Sequence, residues 1–326
     1  MNDNQEQKKS IDNNPALIPN MKRFSHEAMA TTYEIFIVHE DEKYASQAAN
    51  AAFAELERLE SELSRFAENS DITRINHLPA KQIFRLSLDA FECLKISHQM
   101  YHETNKAFDV TIGPLFACWH DEDGSEKTPT AEEIEKARKM VGMDLLELDE
   151  SLLAIWLSVS PIQIDLGGVG KGYAVDKMAE MLRDWSINVA LISGGFSSVL
   201  AMDAPPGTNG WPLSLSNPSN CKQKIAKAYL QNRAIGSSGV RKGGHIISPR
   251  TGYPVEGKSA SWSSAPTAAV ADALSTAFMI MDLDEIEKYC SNHPGNAAMI
   301  ILDDKENKEQ QTIKRFGPWN EIARIE

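Results

Sequence analysis

Four glycines fall within six residues in Gly167-Gly-Val-Gly-Lys-Gly172, and a helical apolar stripe follows at once. Ahead of the run, residues 161–165 read as a strand. Behind it, Ala174, Met178, Leu182 and Trp185 share one face at helical spacing. Such a stretch must turn sharply from extended to helical backbone, and glycines permit that because no Cβ blocks a close approach. The two common nucleotide loops of this appearance are excluded. A P-loop would place Gly, four residues, then Gly-Lys-Ser/Thr, but Gly172 follows Gly170-Lys171, and Asp165 stands where the first glycine belongs. A dinucleotide fingerprint begun at Gly168 would end on Tyr173. What survives is the physics of the junction: backbone N–H groups at the positive end of a helix suit an anion. A tight turn without a ligand fits the same spacing equally.

An anionic partner here is not a nucleic acid. The chain carries a formal net charge of -13, against the basic stripe that releases counterions from phosphates. With 42% hydrophobic and 24% charged residues it can bury a sizeable core. Cys93, Cys118, Cys221 and Cys290 are widely spaced, so neither a zinc site nor a disulfide framework is indicated. No apolar run approaches the ~18 residues of a membrane span. Residues 1–23 are expected to be a flexible N-terminal arm and 24–326 one domain. Strands are expected over 32–38, 189–192, 211–216, 226–235 and 298–302. Helices are expected from Glu42 to Leu63, from Ser87 as N-cap, after the capping box Thr130–Glu133 and before Gly142, and from Ala268 to Met281. Helices mixed with non-alternating strands give an α+β fold.

Three further stretches carry chemistry. In Asp272-Ala-Leu-Ser-Thr276, spacing of four puts a carboxylate and a hydroxyl one turn apart on one helical face, suited to Mg²⁺ with phosphate oxygens and waters completing the shell. Its bland alternative is a buried carboxylate satisfied by neighbours. In His245-Ile-Ile-Ser-Pro-Arg-Thr-Gly252, the histidine can serve as acid or base and Arg250 as a phosphate contact. A surface turn is the alternative. Ala107-Phe-Asp109 sets an aromatic beside an acid, suited to a flat ring or to a core corner. Asp121-Glu-Asp123 reads as a solvated loop, and Ser193-Gly-Gly-Phe-Ser197 lacks the nucleophile-elbow pattern.

Together these stretches resemble the FAD:protein FMN transferases, the ApbE-like family. The matches run in order through Met29-Ala-Thr-Thr-Tyr33, Ser64-Arg-Phe66 with Ser70 to Asn76, Ala107–Leu115, Asp165–Asp176, Ser238-Gly239, His245–Gly252 and Ala271–Thr276. The resemblance implies a T-fold-like architecture of mixed and antiparallel sheets with packed helices. It implies transfer of FMN from FAD to a threonine or serine hydroxyl of an acceptor protein, with release of AMP. The acceptors it implies include subunits of membrane redox complexes. It further implies Mg²⁺ held by the Gly170 carbonyl, Asp272 and Thr276, with Ser275. An FAD site is implied around Met29, Phe66, Ala107, Phe108, Asp109, Gly167, Tyr173 and Ile246, with His245 as catalytic residue. An FAD pyrophosphatase giving FMN and AMP, or a non-catalytic flavin binder, are the alternatives. Ser248 stands where the family usually has Asp, Phe196 where Asp or Asn is frequent, and Phe66 where tyrosine is common. These departures bear on adenosine-side contacts and acceptor choice. With no export signal or lipid-anchoring cysteine near Met1, a cytoplasmic setting is expected of the chain as it stands, or a periplasmic one if a signal preceded it.

Overall fold

The computed structural model describes residues 18–121, 124–217, 220–240, 246–303 and 312–324. In chain order the first half holds β1 (Met21–Ala28), β2 (Thr31–Val38), α1 (Glu42–Leu63), α2 (Asp71–Asn76), β3 (Ile83–Arg85), α3 (Leu88–Glu103), α4 (Gly113–Trp119), α5 (Ala131–Arg138), β4 (Leu146–Asp149) and β5 (Ala154–Leu157). There follow α6 (Gly170–Asp184), β6 (Ala190–Gly194), β7 (Ser198–Ala201), β8 (Trp211–Asn217), β9 (Asn220–Leu230), β10 (Arg233–Gly239) and β11 (Lys258–Ala265). The chain closes with α7 (Ala268–Ile280), α8 (Leu283–Asn292), β12 (Ala297–Leu302), β13 (Thr312–Phe316), α9 (Trp319–Ile322) and β14 (Ala323–Arg324).

Eight strands form one sheet in the order β1-β2-β6-β7-β10-β11-β12-β13, every neighbour antiparallel. Two smaller sheets, β14-β9-β8 and β3-β5-β4, are also antiparallel. The inner strands of the large sheet are buried on both faces. Tyr33, Ile35 and Ile37 of β2 join the core under the helices, while Phe36 joins the core beneath β8 and β9. β12 divides likewise, Ala298 and Ile300 against Met299 and Ile301. Burial on both faces is the reason these strands lack polar alternation. The α+β architecture expected from the sequence is the one observed.

β1 and β2 meet through the two-residue turn Met29-Ala30, where both residues have positive φ, 48° and 56°. That left-handed pair matches the twist of a hairpin, but costs a residue with a Cβ about 1–2 kcal/mol. The turn is pinned: Glu60 accepts the Met29 N–H at 2.7 Å, and the buried Tyr33 hydroxyl donates to the Met29 sulfur at 3.2 Å. Residues 21–23 thus belong to the sheet, and Ile18 packs in the second core, so the arm expected over 1–23 is shorter at its inner end.

Two other expectations change. Residues 161–165 form no strand; Asn76 brackets Ile164 through both amide atoms, and the Gln163 and Val110 carbonyls accept loop bonds from Gly113 and Asp165. The strand expected over 226–235 is two, because Asn232 at φ 48° turns β9 into β10. Gly142 lies beyond α5 and begins a short 3-10 turn.

Candidate functional site

Helix α7 carries the candidate metal residues, and small residues set it deep against its neighbours. A Cβ on Gly172 of α6 would lie 2.2 Å from the Ala268 carbonyl oxygen, and one on Gly236 of β10 would lie 2.2 Å from that of Ala271. From β11 the Ser261 and Ser263 hydroxyls donate to the Ser275 and Ala271 carbonyls. The helix ends are closed by other elements. Thr267 gives no side-chain cap, and the Asp176 carboxylate of α6 accepts the Ala268 and Ala269 N–H groups instead, at 2.7 and 2.8 Å. At the far end Lys258 donates to the Phe278 and Met281 carbonyls. The exchange runs both ways: Val169 gives α6 no side-chain cap, and Asp272 of α7 accepts the Gly172 N–H at 3.1 Å. Each helix completes the other's N-terminus.

Asp272 is 2% exposed. Burial pushes its carboxyl above the ordinary carboxylate range, opposed by the Lys171 ammonium and the Gly172 N–H. One turn on, Thr276 Oγ1 lies 3.2 Å from the Ser238 hydroxyl, which also shares a 2.8 Å hydrogen bond with Ser275. Ser275 is fully buried and also donates to the Asp272 carbonyl. The glycine junction closes over this corner. A Cβ on Gly168 would stand 3.2 Å from Thr276 Oγ1 and 3.2 Å from the Phe108 ring. Three separate stretches of sequence therefore meet at Gly168. The glycine whose backbone presses on Thr276 is Gly168, whereas Gly170 starts α6, its N–H bonded to the Leu166 carbonyl.

Around this corner, Ala107 and Phe108 are buried, and Asp109 Oδ1 accepts both the N–H and the hydroxyl of Thr111, at 2.8 and 2.6 Å. Burial pushes the Asp109 carboxyl up to about 6, against those two bonds. Asp165 shapes the junction by accepting the Gly167 N–H at 2.8 Å, and its other oxygen pairs with Arg65 at 3.2 Å. The Arg65 guanidinium lies 4.3 Å from the centre of the Phe66 ring, which is 82% exposed. An open aromatic face is thus tethered to the glycine junction.

Other expected residues sit differently. The Tyr173 hydroxyl turns away from Asp272 and lies 2.8 Å from both Asp89 and Glu92, which with burial pushes its pKa far up. Ile246 is buried and its carbonyl accepts the Val255 N–H. Arg250, expected as a phosphate contact, is committed within the fold: it donates to the Asn105 and Thr104 carbonyls and pairs with Glu285 at 2.8 Å. Ser248 closes the turn beside it, its carbonyl accepting the Gly252 N–H. His245 lies outside the described residues. Reading the sequence gave no individual role to Gly168, Ser238, Lys171 or Asp176, although all four lie in the quoted stretches. Asp176 closes the quoted glycine block, but a cap given to a helix 92 residues away leaves no local pattern.

Among the described residues no three acidic, histidine or cysteine side chains converge as a metal cluster. The donor set is one carboxylate with hydroxyls and backbone carbonyls, all hard oxygens. That chemistry suits a small divalent cation whose remaining positions are filled by phosphate and water. An ammonium, Lys171 Nζ, stands 3.6 Å from Asp272 and 2.9 Å from the Gly167 carbonyl, so positive charge already lies beside the carboxylate.

A glycine junction, an open aromatic and a single-carboxylate oxygen corner stand together on an antiparallel α+β frame. The chain belongs to the ApbE family, whose model matches residues 29–301. It is similar to the FAD:protein FMN transferase of Haemophilus influenzae, 26% identical over 306 residues and covering 86% of each chain. The enzyme of the same name from Vibrio cholerae is 25% identical over 308 residues, covering 89% of this chain and 90% of that one. Among solved structures, the ApbE protein of Thermotoga maritima superposes with a TM-score of 0.82 at 25% identity, covering 93% of this chain and 99% of that one. The flavinyl transferase ApbE of Pseudomonas stutzeri gives 0.82 at 23% identity, over 93% and 96%, a likeness of fold.

Proposed function

We propose that this chain is a transferase that moves the FMN half of FAD onto a threonine or serine hydroxyl of an acceptor protein and releases AMP, with Mg²⁺ as its metal. The observation that carries the reading is the meeting of Gly168, Phe108 and Thr276 beside Asp272, in a chain whose similar relatives bear that activity in their names.

In the reaction the acceptor oxygen attacks the phosphorus on the FMN side of the pyrophosphate. The new P–O bond forms as the bond to the bridging oxygen breaks. AMP leaves with that electron pair, and the hydroxyl proton passes to a base, the role we give His245. Such a transfer requires little covalent chemistry of the protein; it requires alignment and charge compensation. Asp272, Thr276, Ser275 and the carbonyl of Gly170 are the oxygens that would hold Mg²⁺, which when bound supplies positive charge to the pyrophosphate. The N-terminal end of α6 adds its dipole on the same side. Phe66 offers its exposed face to the flavin ring, and the buried Phe108 backs the glycine junction against which the phosphates lie.

The test is mass spectrometry of a threonine-bearing acceptor fragment incubated with FAD, Mg²⁺ and the protein. An adduct of FMN mass is expected, and Asp272→Ala abolishes both adduct and AMP release. Release of FMN and AMP with no adduct would make water the acceptor, and turnover unchanged in Asp272→Ala would overturn the metal assignment.

A further inference from the structure

Lys171 is the second residue of α6, yet its side chain folds back over the glycine junction instead of extending into solvent. Its Nζ donates to the Gly167 carbonyl at 2.9 Å and lies 3.6 Å from Asp272 Oδ2; the two side chains are 24% and 4% exposed. Among the described residues Asp272 forms no other ion pair. The ammonium therefore occupies, between a backbone carbonyl and the buried carboxylate, the kind of oxygen environment a divalent cation would take. A dication at ~2.1 Å from that oxygen would leave the ammonium about as close to the ion as to the carboxylate, in a corner with little water to screen them. The long, flexible lysine stem has solvent on one side to swing into.

We infer that Lys171 is an exchangeable counter-cation: it neutralises Asp272 in the metal-free protein and is expelled when the divalent ion enters. The inference rests on the reading that Asp272 holds Mg²⁺. Two consequences follow. The metal-free corner does not have to keep a buried carboxylate uncompensated. Uptake of Mg²⁺ is a competition, so the apparent affinity lies below what the oxygen donors alone would give.

The experiment uses Mg²⁺ alone, without FAD, on the full chain. Lys171→Gln is expected to lower the melting temperature in EDTA but not in saturating Mg²⁺, and to tighten the apparent Mg²⁺ dissociation constant by roughly tenfold, the size of a one-unit electrostatic shift. Equal destabilisation in both conditions, or an affinity unchanged or weakened, overturns the exchange. In the wild type, acetylation of Lys171 followed by peptide mass spectrometry is expected to speed up when Mg²⁺ replaces EDTA; an unchanged rate overturns it without any variant having to fold. Asp272→Ala serves as the control. If the wild type takes up no Mg²⁺, or Asp272→Ala takes it up equally well, the metal reading itself fails and the exchange falls with it.

Discussion

Two glycines at the start of one helix should respond oppositely to the same methyl group. At Gly172 an added Cβ would sit 2.2 Å from the Ala268 oxygen, 2.5 Å from its carbonyl carbon and 2.8 Å from the Ala269 Cα. All three are backbone atoms of α7, so no rotamer can yield. The oxygen contact is about 1 Å inside ordinary van der Waals distance, and α6 and α7 must part by about that much. Overpacking of this kind costs about 1–3 kcal/mol, while glycine to alanine within a helix returns up to ~1 kcal/mol. A net loss of about 1–2 kcal/mol for Gly172→Ala lowers the melting temperature by about 1.5–3 °C in a chain of this size. The same displacement stretches the 3.1 Å bond from Gly172 N–H to Asp272 and both bonds that Asp176 accepts, so the Asp272 carboxylate shifts relative to the glycine junction. A misplacement near 1 Å is worth on the order of 10²-fold in rate. At Gly170 the added Cβ meets only the Leu166 Cβ, at 3.5 Å, and Gly170→Ala is expected to be neutral or stabilising. Differential scanning calorimetry and FMN-transfer rates on both variants decide the matter. A Gly172→Ala protein as stable as Gly170→Ala would falsify the claim that helix contact fixes the site.

The other expectations concern a cap, a turn and a surface. Asp176→Ala strands the Ala268 and Ala269 N–H groups and should cost about 1–2 kcal/mol in denaturant unfolding. Because burial pushes the folded Asp176 carboxyl up to about 6, above its unfolded value, the stability it contributes is fullest at low pH and is lost as pH rises through 6. The gap between wild type and Asp176→Ala should therefore widen as pH falls from 7 toward 4, and a gap that narrows refutes the assignment. Ala30→Gly relieves a left-handed alanine at φ 56° and should stabilise by about 1 kcal/mol in denaturant unfolding, and a loss of stability refutes the strain. Phe66→Ala, at a side chain 82% exposed, should leave the melting temperature unchanged and weaken FAD binding by roughly 2–10-fold, the worth of one stacked aromatic. Full FAD affinity in that variant would remove Phe66 from the flavin site.

What the sequence made legible was whatever its local periodicity or a quoted motif encodes. The spacing of Ala52, Leu56, Leu59 and Leu63 predicts a helix over 42–63, and α1 has those bounds. Ser87 and Thr130 cap helices as their side chains suggest, accepting the Ala90 and Glu133 N–H groups. β11 was not legible, since Lys-Ser-Ala-Ser-Trp-Ser-Ser-Ala has little apolar character. Its serines serve the carbonyls of α7, a need invisible until the helix is laid on the sheet. Tyr173 shows the converse: the glycine block that holds it is in the site, yet its hydroxyl is turned to Asp89 and Glu92 of α3. Arg250 reads as a phosphate contact because it shares a Pro/Gly turn with His245; the carbonyls at 104 and 105 and the Glu285 carboxylate claim it instead.

The exchange of carboxylates between α6 and α7 also bears on how the chain reaches its native state. Gly172 and Asp272 lie 100 residues apart in sequence, and Asp176 and Ala268 lie 92 apart. Neither helix start can be satisfied by its own segment, so neither gains its full stability until both are in place. Contacts of such separation form late, after the costly loop between them has closed. The two helices are thus one cooperative unit, and the corner around Asp272 and Thr276 is assembled in the same step that joins them.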